Sequence, residues 1–197
     1  MKVNDRCHEH GAFLSVLPVF HAFGLAICIH APLSCGMRMV LSPRFTPKDC
    51  ANQVLKEKIE ILAGVPAMYE RMYPLLKGHD LSFIQHIVCG GDMVSADLID
   101  RYNVILGRKN GGASFLPGYG LTECGVICVE LSRKSQFRCG TSTGKIFSNV
   151  AYKISDSGEL LIPKEHSMNG IYVDGKFTEF KEDYYPTNDK VNIDETG

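Results

Sequence analysis

Residues 59–92 read I-E-I-L-A-G-V-P-A-M-Y-E-R-M-Y-P-L-L-K-G-H-D-L-S-F-I-Q-H-I-V-C-G-G-D. Two short apolar runs, 59–64 and 83–89, bracket a segment with a different period. Each run is short enough to be a buried strand, and each ends at glycine. Between them, Pro66 suits the first turn of a helix, where its missing N–H costs nothing. Met68, Met72 and Leu75 then recur at helical spacing and are expected to share one face. Strand, helix and strand in this order form a crossover unit, which makes the strands parallel.

The same alternation extends outward in both directions. Upstream, 13–18 and 37–42 read as strands, and the apolar stretch 20–35 between them reads as a buried helix. Thr46 can cap a helix opened by Pro47, with Ala51, Val54 and Leu55 at helical spacing. Downstream, Ser95 caps a helix carrying Leu98, Tyr102 and Ile105, and 113–117 reads as a fifth strand. The fold class is therefore α/β, with a mainly parallel sheet flanked by helices. From residue 138 the pattern shifts to short strands and turns, including Asp156-Ser157-Gly158. The expected organisation is an α/β unit over 1–137 followed by a small β-rich unit over 138–197.

Composition narrows the partners. The chain has 197 residues, 45% hydrophobic, with a net charge of -1. No basic run is present, so neither nucleic acid nor an anionic membrane is an expected partner. No apolar stretch approaches the roughly 20 residues of a membrane span. The polar N-terminus is no signal peptide, and the expected location is cytoplasmic. The eight cysteines contain no C-x-x-C pair. Several lie in apolar runs, where a free thiol behaves as a small hydrophobe. Cys7, His8 and His10 form a weak metal motif without a partner pair.

In a right-handed crossover fold, the carboxyl ends of parallel strands line one edge, and ligands bind there. The segments after the strands are the candidates. One is 117–125, P-G-Y-G-L-T-E-C-G. Gly118 and Gly120 flank Tyr119 and leave its ring uncovered, which suits stacking on a purine. The Thr122 hydroxyl can donate to phosphate. The Glu123 carboxylate can meet phosphate only through a cation such as Mg²⁺. The competing reading is a plain strand-ending turn. Gly90-Gly91-Asp92 allows close approach to a flat ligand, or a strand-to-helix turn. His21 and Gly24, in F-H-A-F-G, stand at the crevice edge. Asp189, in Y-P-T-N-D-K, can accept from sugar hydroxyls or close a turn.

Taken in order, F-H-x-x-G, G-V-P-A-M-Y, G-G-D, Y-G-L-T-E, G-x-x-G-K and T-N-D resemble the adenylate-forming enzyme superfamily. The likeness is to its AMP-forming acyl-CoA synthetases of the fatty-acid-CoA ligase type. It implies that Tyr119 stacks on adenine, with Gly90, Gly91, Asp92, Gly118 and Gly120 around the nucleotide. It further implies that Thr122 touches the α-phosphate, Glu123 holds Mg²⁺, Asp189 binds the ribose, and His21 and Gly24 border the acyl pocket. Gly144 and Lys145 match a structural loop. The implied substrates are ATP, a carboxylic acid and coenzyme A. The apolar residues after His21 favour an uncharged acyl group.

The chain departs from the family pattern in carrying T-N-D for T-G-D. It also lacks the lysine-bearing phosphate loop upstream and the C-terminal domain with its lysine. The resemblance thus implies the central fragment of a longer enzyme, unable to complete adenylation alone, without the N-terminal subdomain and C-terminal domain. The alternative is a non-catalytic nucleotide-binding or interaction module that keeps the fold.

Overall fold

The computed structural model describes residues 11–107, 114–129 and 142–193. Strand β1 (Ala12–Ser15) leads into a π-type helical segment, Phe23–His30, which runs on as α1 (Ala31–Ser34). Then follow β2 (Arg38–Leu41), α2 (Pro47–Glu57), β3 (Ile61–Gly64), α3 (Pro66–Leu76), β4 (His86–Cys89), α4 (Ala96–Ile105) and β5 (Ser114–Leu121). β6 (Gly125–Val129) and β7 (Lys145–Ile146) complete a seven-stranded sheet in the order β2-β1-β3-β4-β5-β6-β7. All neighbours from β2 to β5 pair in parallel. The α/β class read from residues 59–92 is what the chain adopts.

The helix starts follow the local chemistry. Thr46 Oγ1 accepts from the Asp49 amide at 3.2 Å, with Pro47 in the first turn of α2. Ser95 Oγ accepts from the Leu98 amide at 3.2 Å and starts α4. Each cap satisfies an amide that the helix leaves without a partner.

Strand alternation divides the core between the two faces of the sheet. Leu14, Leu62, Ile87 and Phe115 face α2, α3 and α4 in the larger cluster, with Val54, Met72, Leu98 and Tyr102. Phe13, Ile61 and Ala63 face the other way and meet Cys28 and Met37. The β1–β2 connection therefore lies on the face opposite the other crossovers. Strand order reverses between β1 and β3, the switch point at which such sheets open a crevice.

Three expectations need correction. The helix within 20–35 exists but is not buried. Gly24, Cys28 and Pro32 face inward at every fourth position, whereas Phe20 is 88% exposed, Leu33 60% and Leu25 44%. One stripe suffices to cover its half of the sheet, so apolar composition did not equal burial. In α3 the buried arc is centred on Met72, Tyr69 and Leu76, and Leu75 is exposed at its margin. Finally, β5 does not stop at Pro117. It continues through Gly118-Tyr119-Gly120-Leu121, where it leaves the parallel ladder with β4 and pairs antiparallel with β6.

The β-rich region contains β8 (Lys153–Ile154), β9 (Glu159–Pro163), β10 (Gly170–Val173), β11 (Lys176–Glu179) and β12 (Tyr184–Lys190). β12-β9-β8 form one antiparallel sheet and β10-β11 a separate hairpin. Asp156 and Ser157 do turn the chain between β8 and β9, with Gly158 at φ 83. The core of this region is Ile127, Leu160 and Ile162, and Ile127 is contributed by β6 of the large sheet.

Candidate functional site

β5 and β6 form a hairpin whose tip is Thr122-Glu123-Cys124, and β5 reaches that tip after its ladder with β4 ends at Cys89 and Pro117. A bulge between Tyr119 and Gly120 disturbs the ladder. There the backbones approach so closely that a Cβ on Gly120 would run into the Gly125 carbonyl. The bulge re-aims the strand just where the candidate side chains begin.

Tyr119 points toward the β-rich region and packs against the Ile127–Leu160–Ile162 cluster, so the ring is not bare on all sides. Its hydroxyl donates to Asp189 Oδ2 at 2.6 Å. Burial first, and the Asp189 carboxylate next, push the Tyr119 phenol well above the usual tyrosine range. Asp189 follows Asn188, whose φ of 60 is the left-handed conformation that glycine takes easily and asparagine tolerates. The Asp189 amide donates to Thr187 Oγ1 at 3.2 Å, and buried Thr187 donates to the Leu160 carbonyl at 2.8 Å.

The hairpin tip is held from the opposite side as well. His21 Nε2 lies 3.3 Å from Thr122 Oγ1. His21 Nδ1 accepts from the Phe23 amide at 3.1 Å, so the neutral ring carries its proton on Nε2 and donates it to Thr122. Thr122 keeps its own hydroxyl proton for another acceptor. A Cβ on Gly24 would run into the Pro18 carbonyl, so a side chain there would displace the start of the helical segment that His21 immediately precedes.

The remaining candidates are placed less intimately. Gly90 is buried beside β5, where a Cβ would sit 3.1 Å from the Gly118 oxygen and 3.6 Å from the Phe23 ring. Gly91 and Asp92 are exposed, and the Asp92 carboxylate accepts from the Met93 amide at 2.7 Å. The fold thus brings Tyr119 to Asp189 and Thr122 to His21, with Gly90 alongside. No described hydrogen bond joins Asp92 to either pair. The Cys7–His8–His10 motif lies outside the described residues.

A divalent cation can be tested against this donor set. Among the described residues no group of three or more His, Cys, Asp or Glu could cage one. Glu123 offers one carboxylate beside a hydroxyl, which fits Mg²⁺ completing its shell with phosphate oxygens and water. The Glu123 backbone is anchored by the Met168 amide, which donates to its carbonyl at 2.7 Å. Burial, with Glu123 second, raises the Cys124 thiol to about 11, so it stays protonated and inert near neutrality.

Sequence reading missed Thr187, Phe23 and Met168, which act as supports. Thr187 stood in the quoted T-N-D motif and is buried, but only the β9–β12 pairing reveals what it supports. Phe23 and Met168 contribute backbone amides, which no side-chain pattern advertises. No described helix is long and apolar enough to cross a membrane.

Comparison with known proteins relates the chain to a family and its fold to solved structures. The AMP-binding enzyme family model matches residues 1–177. A feruloyl-CoA synthase from Amycolatopsis sp is 30% identical over 156 residues, covering 77% of this chain and 30% of that protein. The long-chain-fatty-acid–CoA ligase of Bacillus subtilis is 26% identical over 160 residues, 78% of this chain and 27% of the ligase. The chain spans about 30% of the length of the feruloyl-CoA synthase. Among solved structures, the inhibitor-bound N-terminal domain of FACL13 from Mycobacterium tuberculosis matches with a TM-score of 0.77 at 22% identity, over 100% of this chain and 50% of that one. A fatty acyl CoA synthetase from the same organism matches with a TM-score of 0.74 at 22% identity, over 95% of this chain and 39% of that one.

Proposed function

Because this chain belongs to the AMP-binding enzyme family, we propose that it supplies the nucleotide half of an AMP-forming acyl-CoA synthetase. The parent reaction joins a carboxylate to ATP, releasing pyrophosphate and forming acyl-AMP, and then passes the acyl group to coenzyme A. The carrying observation is the β5–β6 hairpin, which holds Tyr119 against Asp189 and Thr122 against His21 at once.

On this reading the Tyr119 ring is the adenine platform, with Gly90 and Gly118 keeping the slot free of side chains. Asp189 accepts from the ribose hydroxyls. Thr122, accepting a hydrogen bond from His21, donates its own hydroxyl toward the α-phosphate. When bound, Mg²⁺ would supply charge neutralisation between the Glu123 carboxylate and the phosphate oxygens. The exposed apolar residues around His21, Phe20 and Leu25, border the acyl group and favour an uncharged one, fatty or aryl. Among the described residues no lysine pairs with Thr122 or Glu123. We therefore expect these 197 residues to bind AMP without completing adenylation.

Calorimetric titration with AMP tests the site. Binding by the native chain, weakened about tenfold or more in Tyr119→Ala through lost stacking, is the expected result. Equal affinity in both chains would sink the assignment. Carboxylate-dependent ATP–pyrophosphate exchange above background would show instead that the chain is catalytically self-sufficient.

A further inference from the structure

Stacking needs only a ring, and phenylalanine would provide one. The Tyr119 hydroxyl nevertheless makes a hydrogen bond to Asp189 that spans 70 residues of sequence, at 2.6 Å. That length is typical of a hydroxyl donating to an ionised carboxylate. Resting on the nucleotide reading above, we propose that Tyr119 is also a positioning residue, whose phenol holds the Asp189 carboxylate in the orientation that accepts both hydroxyls of a ribose cis-diol.

The backbone around Asp189 explains why a clamp is needed. Its ladder with β9 is interrupted, with the register shifting between Pro186 and Lys190. Asn188 stands at φ 60 within that interruption. The backbone is tied instead by side chains: the Asn188 amide donates to Glu159 Oε1 at 2.8 Å, and the Asp189 amide to Thr187 Oγ1 at 3.2 Å. Neither tie restrains the Asp189 side chain. Among the described residues, Tyr119 is the donor that does. Without it the carboxylate would rotate freely and have to be ordered when the sugar arrives.

The valence count leaves room for the sugar. A carboxylate offers about four lone-pair sites and no donor. Tyr119 takes one on Oδ2, leaving all of Oδ1 and the rest of Oδ2. A vicinal diol presents two O–H donors to fill them. Tyr119 therefore reads the nucleotide twice, the base with its ring and the sugar through Asp189. A site built around a substrate hydroxyl discriminates strongly against an analogue lacking it.

The test is calorimetry on the full 197-residue chain with AMP and with 2′,3′-dideoxy-AMP, comparing native, Tyr119→Phe and Asp189→Asn proteins. The native chain should prefer AMP by about tenfold, the worth of a hydrogen bond to a charged group. Tyr119→Phe should lose that preference, as should Asp189→Asn, with the loss falling on AMP rather than on the dideoxy nucleotide. A Tyr119→Phe chain that retains the preference overturns the clamp and leaves the nucleotide site standing. So does an equal loss for both nucleotides. Failure of the native chain to bind either nucleotide overturns the nucleotide reading and the clamp together.

A second measurement does not depend on the variant folding. The Tyr119 hydroxyl proton should be slowly exchanging in the NMR spectrum and should persist when AMP is added. Its disappearance on AMP binding would mean that the bond is released to admit the sugar, and would overturn the proposal.

Discussion

The α/β layer and the β-rich region differ in how they hold themselves together. The layer has helices α2, α3 and α4 on one face and a continuous cluster running from Ala12 to Phe115, with a T-shaped contact of Tyr69 and Tyr102 at 5.7 Å. The β-rich region closes over Ile127, Leu160 and Ile162, and one of those belongs to the layer's own sheet. Hydrogen bonds also tie it to the hairpin, among them Met168 to Glu123, Phe147 to Ile127 and Tyr119 to Asp189. The layer supplies its own apolar burial. The β-rich region borrows part of its core, and the candidate site lies along the line where the borrowing occurs.

That contrast can be broken by paired truncations. Leu98 and Ile162 are both fully buried. Leu98→Ala should cost about 3–5 kcal/mol and lower the global unfolding midpoint in urea. Ile162→Ala should cost about 2–3 kcal/mol, with less surrounding core to lose. In Ile162→Ala, hydrogen exchange should accelerate in β8, β9 and β12 while β1, β3 and β4 stay protected. Equal loss of protection in both regions would show that they unfold as one block.

Alkaline pH sharpens the comparison from another side. Burial raises Tyr69, Tyr102 and Tyr119 above the ordinary tyrosine value. Between the unfolded value of about 10 and the folded one, the folded chain binds more protons, so stability falls as pH rises. Their stabilisation is fully present below about pH 10 and is lost above it. Urea midpoints measured upward from about pH 8 should fall only in the alkaline range, with tyrosinate absorbance for these residues appearing on unfolding. A flat midpoint would remove the claim. The smallest effect is expected at a cap. Ser95→Ala leaves the Leu98 amide without its acceptor and should cost about 1 kcal/mol, read as a shift in midpoint without a change in slope.

The parts of this fold that were legible from sequence are those decided locally. Pro47 with Thr46, Pro66, and Ser95 each announce a helix start, and the apolar runs ending in glycine announce β3 and β4. The parts that were not legible depend on a partner remote in sequence. Gly118 and Gly120 read as strand breakers, yet β6 gives them a ladder. Burial around residue 25 depends on what covers the helix, which its composition does not say. The candidate residues themselves were recognisable from their order along the chain. That Tyr119 would meet Asp189 through its hydroxyl was not, because the contact depends on the bulged β9–β12 pairing.

One consequence follows from the way β5 changes neighbours. Residues up to Pro117 are bonded to β4 in one sense, and those from Gly118 onward to β6 in the other. A strand can slide by one residue only if its whole set of side chains changes face. Here such a slip would have to succeed against two neighbours with different bond spacings, and Pro117 has no amide to offer a new partner. The arrangement works like a vernier, with two scales that coincide at a single setting. An inserted or deleted residue within 114–121 would therefore displace Tyr119 rather than be absorbed as slack.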